Sequence, residues 1–75
     1  MKTISGQEAG TSLLSPRETE ILVLVSRGLE NKQIATELGI SEATVKTHLK
    51  GVFNRLDVSS RAEAAAVGLR LGLIE

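Results

Sequence analysis

The basic side chains are unevenly placed. Between Ala43 and Leu56 the chain carries Lys46, Lys50, Arg55 and its single histidine, His48, and no acid. Acids lie outside that segment, among them Glu18, Glu20, Glu30, Glu37, Glu42, Asp57 and Glu63. Lysine and arginine suit phosphate oxygens and the acceptor edge of guanine; the neighbouring Thr47 can hydrogen-bond a base edge or touch a thymine methyl. Residue type and spacing argue against most other chemistry. With no cysteine there is neither a disulfide nor a thiolate metal site. One histidine cannot build a zinc site, and the carboxylates show no ligand spacing. Ser15 and Ser60 have no histidine partner in view, so they read as helix caps rather than nucleophiles. His48 reads as a residue of the helix flank. The expectation is a binding protein without cofactor or metal, not an enzyme.

Seventy-five residues make one domain at most, with room for a thin core and no deep cleft. Nine basic residues balance nine acidic ones, so the basic segment sits on a neutral body. The single aromatic residue, Phe53, disfavours RNA and single-strand binders, which use aromatic platforms for stacking. Phe53 is expected in the core. The longest apolar runs, such as Ile21 to Val25, fall far short of the roughly 20 residues of a membrane span. The first residues, MKTISGQEAGTS, lack an apolar signal core, so a cytoplasmic protein is expected.

Four helices must position the basic segment, which makes the fold all-α. Residues 1–12 are polar and without period and read as a flexible tail or linker remnant; the domain occupies 13–75. Ser15-Pro16-Arg17-Glu18 opens the first helix as a capping box with proline at the first helical position. Ile21, Leu22 and Val25 share one face, with Leu24 at its edge, and Gly28 ends the helix. Asn31 is the expected N-cap of a short second helix, in which Ile34, Ala35 and Leu38 face inward. Gly39-Ile40-Ser41 turns the chain into a third helix, 42–56. There Val45, Leu49, Val52, Phe53 and Leu56 cluster on one side, and Ala43, Thr47, Lys50, Gly51 and Asn54 lie roughly opposite, with Lys46 beside them. Thr44, His48 and Arg55 take the other flank.

The fourth helix opens on Ser60-Arg61-Ala62-Glu63, a second capping-box pattern, and runs to about Leu71, with Gly72 as its cap. It is apolar on two sides. Ala62, Ala65, Ala66 and Leu69 are expected to face the core. Ala64, Val67, Gly68 and Leu71 would form an outer stripe through which two copies meet.

A short helix, a glycine-containing turn and a basic helix make the layout of a helix-turn-helix, whose second helix enters the major groove. Taken alone, the pattern fits equally an ordinary four-helix domain with one solvated basic face.

Five segments carry a closer likeness: Leu14-Ser15-Pro16-Arg17-Glu18, Gly28 to Ala35, Leu38 to His48, Leu56-Asp57-Val58 and Arg61-Ala62-Glu63-Ala64. Through these, from Leu14 to Ile74, the sequence resembles the LuxR-type (GerE-like) DNA-binding domain of bacterial transcription regulators. The resemblance implies the output domain of a regulator, with its third helix reading promoter half-sites in double-stranded DNA and its fourth joining two copies into a weak homodimer. RNA polymerase becomes a candidate partner. Carried over position by position, Lys46, Thr47 and Lys50 take base-contacting places, and Asn31, Lys32, Thr44 and Arg55 take phosphate-contacting ones. The sequence departs from the family at Gly51, where relatives usually carry a side chain and where glycine inside a helix costs about 1 kcal/mol. The neutral total charge leaves a competing reading, a protein-interaction module of the same fold without DNA binding.

Overall fold

Ser15 and Glu18 start the first helix as their spacing predicts. In the computed structural model, which describes residues 13–75, the Glu18 N–H donates to Ser15 Oγ at 3.1 Å and the Ser15 N–H donates to Glu18 Oε1 at 2.9 Å. The reading of 1–12 as a tail lies outside the described residues. Helix α1 (Pro16–Ser26) buries Ile21, Leu22 and Val25, the face expected of it.

Helix α2 (Asn31–Leu38) begins one residue earlier than its sequence suggests: Glu30, not Asn31, is the N-cap. Gln33 supplies the reason, since its Oε1 accepts from the Glu30 N–H at 2.8 Å. The side-chain oxygen of Asn31 is occupied elsewhere, by Arg61. Gly39 ends α2 at φ +68°, and the Ile40 N–H returns to the Ala35 carbonyl at 3.0 Å, so the chain reverses within three residues. Ser41 then caps α3 (Glu42–Leu56), its Oγ accepting from the Thr44 N–H at 3.0 Å.

Ser60 caps α4 (Arg61–Arg70) and accepts from the Glu63 N–H at 3.1 Å. The second capping box is not reciprocal. The Glu63 carboxylate accepts from the Ser59 N–H at 3.0 Å instead of from Ser60. All four elements are helices, so the described fold is all-α. No described helix is long and apolar enough to cross a membrane.

Two apolar clusters meet along α3. Its first half places Val45 and Leu49 with Ile21 and Val25 of α1 and Ile34 and Ala35 of α2. Its second half places Val52 and Leu56 with Leu14, Leu22, Ala64 of α4 and Ile74. Phe53, half-buried, packs against both clusters and joins them. Helix α3 is therefore gripped along its length, which holds its outer side at a fixed angle.

Helix α4 is rotated relative to the expectation. Ala64 and Gly68 are buried and Val67 packs against the core, whereas Ala62, Ala66 and Leu69 are exposed. The stripe assigned to a dimer, Ala64, Val67, Gly68 and Leu71, is thus mostly the inner face, and only Leu71 lies outside. Gly68 explains the choice. A Cβ there would sit 2.8 Å from Leu22 Cδ2 and 3.3 Å from two atoms of Ile74, so the missing side chain is what lets α4 lie close on α1.

Candidate nucleic-acid interface

Val45, Leu49 and Val52 root α3 in the core, and this decides which residues it offers outward. Lys46, Thr47 and Lys50 are all exposed, two of them one helical turn apart. Thr47 Oγ1 donates to the Ala43 carbonyl at 3.1 Å, which orients its hydroxyl while leaving its lone pairs able to accept. Among the described residues the ion pairs are Arg17–Glu20 and Arg55–Glu18. Lys46 and Lys50 therefore meet no described acid at contact distance.

The expected phosphate-contacting residues divide. Asn31 and Lys32 stand in the first turn of α2 and Thr44 in the first turn of α3, ends where unpaired amides concentrate positive potential. Asn31, Lys32 and the α3 residue Glu42 border one recess together with Glu30 and Arg61. Thr44 is half-buried, its hydroxyl 2.9 Å from Ser41 Oγ. Arg55 does not join this group. Its guanidinium is turned onto the Glu18 carboxylate of α1. Arg55, expected as a phosphate-contacting residue, thus also ties α1 to α3.

The placement expected for Gly51 is corrected. It lies half-buried on the α1-facing flank of α3, not on the outer side. A Cβ at Gly51 would come within 2.7 Å of Glu18 Oε2 and 3.1 Å of Arg55 Nη1. The missing side chain at Gly51 thus leaves room for the Glu18–Arg55 pair. Burial pushes the Glu18 carboxyl up, but the Ser15 N–H, the Arg55 guanidinium and the Ser15 hydroxyl together outweigh it and hold the group below the ordinary glutamate value.

One residue of this surface escapes sequence reasoning. Arg61, the first residue of α4, reaches back across 30 positions: Nη1 donates to Asn31 Oδ1 at 2.6 Å and Nη2 to the Leu29 carbonyl at 2.5 Å. It lines a recess of about 330 Å³ with Asn31, Lys46, Leu49, Lys50 and Phe53. In the sequence Arg61 shows only as part of a cap motif, and no periodicity links positions so far apart. The structure therefore gathers three cations from α3 and α4 around the N-terminus of α2.

Known proteins share the sequence pattern and the helix placement of this chain. The family model described as bacterial regulatory proteins, luxR family, matches residues 12–67. The nitrate/nitrite response regulator protein NarL of Escherichia coli (strain K12) is 47% identical over 58 residues, covering 77% of this chain and 27% of NarL. The transcriptional regulatory protein LiaR of Bacillus subtilis (strain 168) is 46% identical over 61 residues, covering 81% of this chain and 29% of LiaR. The chain thus spans under a third of the length of these two relatives. The structure of the transcription factor GerE superposes with a TM-score of 0.79 at 41% identity, over 84% of this chain and 94% of that one. Matching sequence over most of the chain and matching helix placement lead to one conclusion: the chain belongs to the LuxR family of bacterial regulatory proteins.

Proposed function

We propose that this chain binds double-stranded DNA sequence-specifically, as a bacterial transcription regulator or its output domain, with α3 in the major groove. The observation that carries this reading is the pairing of a core-gripped α3 with an outer side of exposed Lys46, Thr47 and Lys50 in an acid-free segment. A rigid helix presenting donors and a threonine methyl is what base-edge readout requires. Asn31, Lys32 and Thr44, at two helix N-termini, supply phosphate contacts that set the register. The role is binding, not catalysis, in the bacterial cytoplasm. The resemblance to regulators such as NarL and LiaR supports it.

Two copies on adjacent half-sites, and RNA polymerase at the promoter, are the partners this reading gives the chain. The self-contact is assigned to the exposed side of the last helix, where Leu69 and Leu71 are each about half exposed, at 52% and 53%.

The test is a selection of bound sequences from random duplexes, followed by titration of Lys46→Ala and Lys50→Ala on the selected site. Each is expected to cost about 1–3 kcal/mol with relaxed preference at one base pair. Wild-type affinity in both folded variants overturns the assignment. Failure of the wild type to select any duplex favours the competing reading, a protein-interaction module, for which the neutral net charge speaks.

A further inference from the structure

Arg61 is a half-buried cation that no described carboxylate approaches to ion-pair distance. Two of its five N–H groups are used, and both acceptors, the Asn31 amide and the Leu29 carbonyl, are neutral. The recess beside it is bordered by Lys46 and Lys50, with Leu49 and Phe53 as apolar lining. Three cations thus border one concavity with no described acid at ion-pair distance, a setting that suits an anion. On its other side Arg61 adjoins a recess bordered by Glu30, Lys32 and Glu42. Both acids are exposed and neither pairs with Arg61, so water screens them.

We propose that Arg61 binds one backbone phosphate of duplex DNA in the recess between the start of α2 and the outer side of α3. Its hydrogen bonds to Asn31 and Leu29 fix the plane of the guanidinium, and the remaining donors offer the fork that matches a phosphate. The contact comes from outside the helix-turn-helix. It ties the α4 start, the α2 start and the DNA backbone together, and adds affinity without reading sequence. The proposal rests on the reading of the chain as a duplex-DNA binder.

The experiment measures duplex affinity against salt concentration for the wild type, Arg61→Gln and Arg61→Lys, each with a thermal melt. The slope of log affinity against log salt is expected to be shallower by about 0.9 in Arg61→Gln, as for one lost phosphate contact. The affinity loss should be the same on the selected and on unrelated duplexes. Arg61→Lys should keep the slope. Weaker binding with an unchanged slope in Arg61→Gln would mark a purely structural tie and overturn the proposal. A second measurement uses the unaltered chain: the Arg61 Nε–H resonance should shift when duplex is added at low salt and return at high salt. An unmoved resonance overturns the proposal even if Arg61→Gln does not fold. A wild type without salt-dependent duplex binding removes the DNA reading and this proposal together. A steep wild-type slope that Arg61→Gln retains removes only the proposal.

Discussion

The two oxygens of Glu18 have different partners. Oε1 closes the capping box on the Ser15 N–H, and Oε2 meets Arg55 of α3. The carboxylate is buried, so its charge is sustained by those contacts rather than by water. Its folded-state pKa lies below the ordinary value, so ionised Glu18 contributes stability that is fully present above the ordinary glutamate pKa of the unfolded chain. That contribution is lost as pH falls through the lower folded-state value. Glu18→Gln is therefore expected to cost about 1.5–3 kcal/mol near neutral pH, the range for hydrogen bonds to charged groups. The gap between the two proteins should narrow as pH drops from 5 toward 3. Thermal melts across that range check it; a constant gap would mean that the ionised form is not what stabilises. The cap role of Glu18 was legible in Ser15-Pro16-Arg17-Glu18 because it is local. The pairing with Arg55, 37 positions away, was not. The same limit applies to Arg61, whose partners Asn31 and Leu29 are equally remote in sequence.

At the scale of the element, three of the four helices sit with the faces their apolar spacing predicts. Helix α3 runs from Glu42 to Leu56 as expected because its apolar residues are large and cluster on one side. Helix α4 offers no such asymmetry. Alanines, Val67, Leu69 and Leu71 are spread around it, and spacing pointed to Ala62, Ala65, Ala66 and Leu69 as the core face, whereas the structure buries Ala64 and Gly68. Glycine at 68 reads in sequence as a weak helix position, whereas in the fold a Cβ there would press on Leu22 of α1 and on Ile74. Gly68→Ala separates the two effects. Alanine improves helix propensity by about 1 kcal/mol, while a methyl forced against fully buried Leu22 and against Ile74 costs about 1–3 kcal/mol. The net expectation is a destabilised protein, seen as a lowered denaturation midpoint in urea. A stabilised variant would mean that α4 can shift away from α1 without loss.

For the molecule as a whole, the rotation of α4 decides what is left for a second copy. Ala64 is fully buried, so Ala64→Glu places a charge in the core and should abolish folding in a domain of this size, whose total stability is only several kcal/mol. Leu69→Glu and Leu71→Glu act on exposed positions and should leave the melt within about 0.5 kcal/mol of wild type. If the exposed side of α4 joins two copies on DNA, those same two variants remove cooperative occupancy of a two-site duplex and keep single-site binding. Titration of one-site and two-site duplexes reads this directly. Cooperativity that survives in both variants places the contact on another surface.

By itself the sequence determined the class, the four helices of the described residues to within a residue or so at their ends, and the acid-free basic face of α3. Each of these follows from contacts within a few residues: caps three positions apart, glycine at a tight turn, apolar spacing on a helix with large side chains. Only the tertiary structure decided which side of α4 is buried, that Gly51 makes space for Glu18 and Arg55, and that Arg61 stands beside Lys46 and Lys50. These depend on how closely two helices approach and on pairs formed 30 or more positions apart. Neither quantity has a periodic trace in the chain, because it is the packing of the whole core that brings such residues within hydrogen-bonding distance.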